Sequence, residues 1–168
     1  MTTSTPIPGT ATVRTELRAA SSATLSEMSA REHSACFACG SSSSTGLRLA
    51  FRLSAVGDAV VADWQPPAWA IGYDGTVHGG LIATVLDSAM VHALFARSCS
   101  ARTADLHLRY RHPVRPIAPC HIQACLVSQR GGALQLKATL HQADRLCARA
   151  EAMFMRPPTV NLPDFIDP

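Results

Sequence analysis

The longest apolar segment of the chain runs from about Gly79 to Phe95, and Asp87 is its only charged residue. This segment predicts a long helix, and a helix that is apolar on nearly all sides must be buried on nearly all sides. Thr84, Ser88 and His92 recur every four residues and form one narrow polar stripe beside Asp87. We interpret His92 as a satisfied core or interface histidine rather than a catalytic base.

Apolar and polar residues alternate on both sides of this helix, with the period of a half-buried β-strand. Before the helix, alternation covers residues 47–53 and 59–64, with a turn at Gly57-Asp58 and a stop at Pro66-Pro67. After the helix, the alternating segments are 103–112, 120–128, 134–142 and 146–155. Short turns between successive strands favour an antiparallel sheet. The pattern therefore predicts an α+β domain in which a curved antiparallel sheet wraps around one long central helix.

The two ends of the chain differ in composition from the middle. The first ten residues are rich in Thr, Pro and Ser, whereas Leu17, Leu25 and Met28 follow a loose helical spacing. We expect an N-terminal extension over residues 1–32 that is partly disordered and contains one short helix. Residues 158–168 begin at the second residue of the Pro157-Pro158 pair and are expected to form a loose tail, which leaves residues 33–157 as the domain.

Composition narrows the class of protein. The chain has 168 residues and is 47% hydrophobic, which fits one globular domain. A net charge of only +3, without a basic run, argues against nucleic acid as a partner. The apolar segment is too short to span a membrane, and no secretory signal is evident. We therefore expect a cytoplasmic protein whose six cysteines are mostly reduced.

Cys36 and Cys39 form a CxxC pair, and His33 precedes Cys36 by three residues. Tetrahedral zinc needs four ligands, and the sequence has no second CxxC. A redox pair normally begins a helix in a βαβ unit, but here Gly40 and a serine run follow. We interpret the pair as a buried turn with small apolar thiols, and a metal or redox site is the alternative.

A turn-rich segment ends in His78-Gly79-Gly80 and leads directly into the apolar helix. Bare glycine amides at a helix start suit a developing negative charge. The buried carboxylate of Asp87 suits activation of water or attack on a carbonyl. The alternative is structural, since glycines permit tight turns and a buried acid can be satisfied by a neighbour. Together with the strand order, the pattern favours a hydrolase.

Gly79 and Asp87 are eight residues apart, which corresponds to about 12 Å along a helix. An attacking atom and an oxyanion donor must converge within about 3 Å of the same carbonyl. If both residues act, they must therefore come from different chains. The mechanism then predicts a two-fold dimer with two composite sites.

Over about residues 33–156, the chain resembles the hotdog-fold acyl-CoA thioesterases of the PaaI-like, phenylacetate-pathway type. The resemblance is carried by the sequence GTVHGG at 75–80 and by Asp87, nine residues after His78. Supporting matches are CFACG at 36–40, GLRL at 46–49 and TADL at 103–106. The resemblance implies a homodimer or a dimer of dimers (homotetramer) that hydrolyses acyl-CoA to free acid and CoA without a metal or cofactor.

The resemblance also implies roles for single residues. Asp87 would be the nucleophile or general base, and the Gly79 amide would polarise the thioester carbonyl. His78 would shape the loop, and Thr103 would help to hold the attacking water. Some members carry Asn or Gln six residues before the histidine, where this chain has Gly72.

Substrate contacts are expected from residues near the loop and from exposed arginines that suit CoA phosphates. The candidates are Gly80, Tyr73, Arg109, Arg111 and Arg130. The main alternative function is a non-catalytic acyl-CoA-binding hotdog module. A hotdog dehydratase is a further alternative, but it would need a histidine base where this helix offers Asp87.

Overall fold

The structure, a computed structural model, describes residues 17–55 and 58–157, which contain two helices and eight strands. The helices are α1 (Ser22–His33) and α2 (Gly79–Phe95). The strands are β1 (Arg52–Leu53), β2 (Val60–Trp64), β3 (Ile71–Tyr73), β4 (Thr76–Val77), β5 (Arg102–Tyr110), β6 (Cys120–Arg130), β7 (Ala133–Gln142) and β8 (Arg145–Met155).

Six of the strands form one antiparallel sheet in the order β1-β2-β6-β7-β8-β5. Strands β3 and β4 form a separate hairpin that leads into α2. Helix α2 packs across the large sheet and contacts β2, β5, β6, β7 and β8. The predicted antiparallel sheet around one long helix is confirmed.

Helix α2 forms the centre of the hydrophobic core. Leu86, Ala89 and Met90 have no solvent exposure. They pack against alternate residues of the sheet such as Leu140 and Ala150, because side chains on one face of a strand recur every second residue. Neither described helix combines the length and the hydropathy that crossing a membrane requires.

His92 lies within this core, in agreement with its interpretation as a satisfied histidine. Its ring stacks on Phe51 at 4.2 Å between centroids. Burial lowers the pKa of His92 to about 4, so the ring is neutral near pH 7. The neutral ring can donate from Nδ1 to the Ser88 carbonyl oxygen, 2.7 Å away.

The strand predicted over residues 47–53 is wrong in extent, since only β1 pairs with β2. Leu47 and Leu49 instead donate their backbone N–H groups to the carbonyls of Phe37 and Ala38, at 2.8 and 2.9 Å. Arg48 between them has a φ of +52°, which interrupts extended backbone. The alternation correctly predicted that Leu49 is buried, but a loop replaces the neighbouring strand. Gly57 of the predicted turn lies outside the described residues.

Helix α1 joins the N-terminal segment to the core. Leu25 and Met28 of the predicted helical spacing are buried, and the Ser21 N–H donates to the Ala96 carbonyl at 2.8 Å. The helix ends at His33, so the described part of the predicted extension is packed against α2. Residues 1–16 and the predicted tail at 158–168 lie outside the described residues.

The central position of α2 gives a stability prediction. Leu86→Ala removes a side chain with 0% exposure and should lower the free energy of unfolding by about 2–5 kcal/mol. Leu81→Ala on the same helix removes a half-buried side chain and should cost less. Denaturant unfolding of both variants measures the difference, and equal losses would contradict a core centred on α2.

Candidate active site

The loop before α2 is held in place by His78, the N-cap of that helix. The His78 N–H donates to the Ala70 carbonyl at 2.8 Å, and Nδ1 accepts the Gly80 N–H at 2.9 Å. Acceptance at Nδ1 places the proton of the neutral ring on Nε2. His78 therefore fixes the start of the helix.

The N–H groups of Gly79 and Gly80 differ in whether they are available to bond a ligand. The Gly80 N–H is already bonded to the His78 ring. The Gly79 N–H, in contrast, donates to no acceptor within the described part of the chain. Gly79 is the first helical residue after the N-cap, where orphan amides and the helix dipole favour anions. Of the two amides, the Gly79 amide is the one that can polarise a ligand carbonyl.

Tyr110 is a site residue that the sequence reasoning missed, since it was assigned only to a strand. Its hydroxyl donates to the Gly79 carbonyl oxygen at 2.8 Å. Its ring lies so close that a Cβ added at Gly79 would meet it at 3.3 Å. Tyr110 thus positions the helix start from the last residue of β5.

A groove of about 530 Å³ opens beside the helix start. Five predicted site residues line it: Tyr73, His78, Gly79, Gly80 and Arg111. Tyr110 and the apolar side chains of Ile82 and Val114 complete much of its wall. The structure therefore brings these predicted residues together in one place. A ligand of mixed apolar and anionic character fits such a lining.

Gly72 has a packing reason to be glycine. A Cβ at this position would meet the His78 ring at 3.0 Å and the His78 Cα at 3.2 Å. The histidine therefore occupies the space into which a longer side chain would project. Tyr73, its neighbour, is 84% exposed at the groove.

Asp87 lies two turns further along α2 and has a defined partner on β5. The Thr103 hydroxyl donates to Asp87 Oδ1 at 2.7 Å. Burial raises the pKa of Asp87 above its ordinary value of 3.8, whereas the Thr103 hydrogen bond and the charge of His33 act in the opposite direction. Asp87 is thus a half-buried carboxylate held in one orientation.

A β-bulge brings Thr103 to Asp87. Thr103 pairs with Phe154 and Asp105 pairs with Met153, so Ala104 is an extra residue in β5. In a regular strand Thr103 and Tyr110, seven residues apart, would point to opposite faces. The bulge shifts the register, and both hydroxyls bond to α2. Bulges often re-aim a side chain next to an active site in this way.

The remaining predicted residues do not join one site within the chain. Asp87 and Thr103 do not line the groove at Gly79, because α2 and β5 run antiparallel and place the two pairs at opposite ends. Arg109 is exposed and alternates with Leu108 and Tyr110, so it lies on the outer face of the sheet. Arg130 lies where β6 turns into β7.

Comparisons with known proteins bear on the fold and the family of this chain. Residues 74–148 match the family model described as the thioesterase superfamily. A solved thioesterase superfamily protein is 23% identical with a TM-score of 0.66, and the match covers 70% of this chain and 61% of that one. A mutant of the phenylacetic acid degradation protein PaaI from Thermus thermophilus is 21% identical, with coverages of 66% and 95% and a TM-score of 0.60. The chain has the hotdog fold of these proteins.

Two further findings bear on this hotdog chain. A Streptococcus mutans protein bound to acetyl CoA is 16% identical with a TM-score of 0.60, and the match covers 65% of this chain and 88% of that protein. No match was found among curated proteins. The resemblance stated from the sequence is confirmed, and the solved structures establish the fold.

Burial of the Asp87 carboxylate predicts a stabilising substitution in the hotdog domain. Asp87→Asn keeps an acceptor for Thr103 and removes a charge that burial disfavours, so its melting temperature at pH 7 should equal or exceed that of the wild type. The wild type should gain stability relative to the variant as pH falls, because protonation of Asp87 removes the same charge.

Thermal unfolding at several pH values measures this effect. The exposed Asp144→Asn is the control, since Asp144 lies in the turn between β7 and β8. A melting temperature for Asp87→Asn far below that of the wild type at pH 7 would show that the carboxylate is needed for folding.

Proposed function

We propose that this chain is an acyl-CoA thioesterase that hydrolyses acyl-CoA to free acid and CoA at a site shared by two subunits. The observation that carries the proposal is the pairing of a free Gly79 amide at a helix start with an oriented Asp87 carboxylate on the same helix. The match to the thioesterase superfamily supports the reaction class.

Asp87 supplies the attacking group. Thr103 donates to Oδ1, which leaves Oδ2 to take a proton from water or to attack the thioester carbon itself. The raised pKa of Asp87 makes it a stronger base than an exposed carboxylate. Thr103 keeps an oxygen lone pair with which it can accept a hydrogen bond from that water.

Gly79 supplies the electrophilic side of the reaction. Its N–H points from the positive end of α2 and stabilises the oxyanion that forms as the thioester carbonyl is attacked. His78 and Tyr110 hold this amide in place through Gly80 and the Gly79 carbonyl. Loss of one such donor typically reduces the rate by about 100- to 1000-fold.

The edge of the sheet suggests how two subunits meet. Strand β5 is an edge strand that bonds to β8 on one side, and it is exposed along most of its length. Antiparallel pairing of β5 with β5 of a second copy would give the backbone N–H and C=O groups of this edge hydrogen-bond partners. It would also place the Thr103 end of one chain beside the Tyr110 end of the other. Asp87 of each chain would then approach Gly79 of its partner.

The groove at the helix start suits the CoA moiety. Arg111 lines this groove and is the arginine best placed for a CoA phosphate. The acetyl CoA bound to the Streptococcus mutans protein of the same fold supports this ligand class. Contacts from Arg109 and Arg130 stay predictions, since neither lines the groove.

An alternative function is acyl-CoA binding without hydrolysis. Gly72 favours it, because this chain lacks the carbonyl-binding side chain that some relatives carry there, and the His78 ring fills the space. Measurement of acyl-CoA affinity beside turnover separates the two functions. Tight binding of every tested thioester with no turnover would support the binding module.

Asp87→Asn should abolish thiol release from short, long and aryl acyl-CoAs while leaving acyl-CoA binding intact. Asp144→Asn changes an exposed carboxylate in the turn between β7 and β8, away from the proposed interface, so it is the matched control and should retain turnover. In the wild type, the rate should fall as pH decreases through the raised pKa of Asp87, so the acidic limb should lie above 3.8. Retained turnover in Asp87→Asn would remove this residue from the mechanism.

Mixed dimers test the shared site. Proline is tolerated at the first helical position, so Gly79→Pro removes the amide, and Gly79→Ala controls for the added Cβ that would meet the Tyr110 ring at 3.3 Å. Gly79→Pro and Asp87→Asn should each be inactive alone, but a Gly79→Pro chain paired with an Asp87→Asn chain should contain one intact site. Statistical mixing should then restore about a quarter of wild-type activity per chain. No recovery, with heterodimers demonstrated by differential tagging, would place both groups in one subunit's site.

A further inference from the structure

Three side chains with metal-binding atoms meet where α1 ends. His33, Cys36 and Cys39 each offer one ligand atom, and these atoms all lie within 4.8 Å of one another. The His33 Nδ1 and the Cys39 Sγ are 3.4 Å apart. None of these residues is a reacting group of the proposed thioesterase, and His33 acts on that site through its charge, which opposes the rise that burial gives to the pKa of Asp87.

The backbone around the cluster is tightly folded. The Cys36 N–H donates to the His33 carbonyl at 3.0 Å, and the Gly40 N–H donates to the Cys36 carbonyl at 2.7 Å. A Cβ at Gly40 would lie 2.5 Å from the Ser34 carbonyl oxygen and 2.6 Å from the Cys36 nitrogen. Only glycine allows the chain to close here, so the turn that gathers the two thiols is specified by sequence.

We propose that His33, Cys36 and Cys39 bind one Zn²⁺ ion. Zn–S bonds of about 2.3 Å and Zn–N bonds of about 2.0–2.1 Å put tetrahedral S and N ligands about 3.6 Å apart. The observed 3.4 Å between Nδ1 and Sγ is close to this value. Two thiolates and a neutral imidazole cancel the charge of the ion, and binding releases the two thiol protons.

The fourth coordination position belongs to a water molecule. Among the described residues, the cluster contains only three His, Cys, Asp or Glu side chains. The loop is open to solvent, since Ser34, Ala35 and Phe37 are exposed. Zinc with three protein ligands and a water in the fourth position is a known coordination, so the lack of a second CxxC does not exclude the ion.

The ion has a structural role in this proposal. The His33 ring packs edge-on against Phe95 at 4.9 Å and against His92 at 5.9 Å, both on α2. The loop of the two cysteines also accepts the backbone bonds of Leu47 and Leu49. A metal at the cluster therefore ties the end of α1 and the segment before β1 to the core.

A disulfide between Cys36 and Cys39 is the competing state. It requires only the two sulfur atoms, whereas the structure adds an imidazole nitrogen at hydrogen-bonding distance from one of them. A metal ion needs a third ligand atom in this position, whereas a disulfide has no use for one. The arrangement therefore favours zinc.

The full chain, reduced and then dialysed against ZnCl₂ and metal-free buffer, should retain about one zinc per chain by elemental analysis. Cys36→Ser and Cys39→Ser should lower zinc affinity by at least tenfold, and His33→Ala should also weaken it. Cys125→Ser is the matched control, because Cys125 is another half-buried thiol outside the cluster, and it should retain the metal. The melting temperature should rise with added zinc in the wild type and in Cys125→Ser only.

Two measurements on the wild type do not depend on whether a variant folds. Cobalt substitution should give the visible bands of a tetrahedral ion and thiolate-to-cobalt charge transfer. Thiol titration of the denatured, metal-stripped chain should give all six cysteines. Failure to retain zinc, an octahedral cobalt spectrum, or two thiols missing until a reductant is added would each overturn the proposal. These readouts are independent of thioester hydrolysis.

Discussion

Burial of α2 is the constraint on which the rest of the structure depends. A helix of 17 residues with one carboxylate cannot face water on any broad side, so the sheet must cover it. Five strands contact it, and its central residues are fully covered. The one charged residue of the helix then has to be accommodated where the sheet ends, beside the edge strand β5. The site follows from the packing of the helix.

The antiparallel course of α2 and β5 divides the site into two parts. Tyr110 holds the helix start at one end of β5, and Thr103 holds Asp87 at the other. Neither part is a complete hydrolytic site, because an oxyanion donor and an attacking group have to converge. The exposed edge of β5 offers the simplest geometric way to unite them, through a second copy of the chain. In this proposal, the unpaired edge of β5, which could otherwise promote aggregation, brings the two parts of the hydrolytic site together.

The N-terminal segment is a second layer on the same helix. Leu25 and Met28 bury the face of α1, and the His33 ring lies against Phe95 near the end of α2. The Cys36–Cys39 turn then supplies backbone acceptors for residues 47 and 49. The helix, the turn and the following segment thus depend on one another. A metal at the His33 cluster would hold them at a single point.

Patterns with a short period were readable from the sequence alone. The bounds of α2, the four long strands after it and the burial of Leu49 and His92 follow from apolar spacing, because burial acts on each residue locally. The motif around His78 and the acid at Asp87 indicated the candidate site for a different reason, since glycine amides at a helix start and a carboxylate on an apolar helix suit attack on a carbonyl. Their separation along one helix was also a matter of simple geometry.

Tertiary structure decided what depends on register and on distant partners. The bulge at Ala104 turns Thr103 toward Asp87, and no alternation pattern in β5 reveals an extra residue whose effect depends on β8. Tyr110 contacts Gly79 from a distant segment of the chain, and the His78 ring bonds the Gly80 amide while the Gly79 amide stays available. The loop that replaces a strand before β1 likewise depends on backbone carbonyls 10 and 11 residues earlier in the chain. Sequence determines which residues must be buried, whereas hydrogen-bond partners are chosen only once the chain has packed.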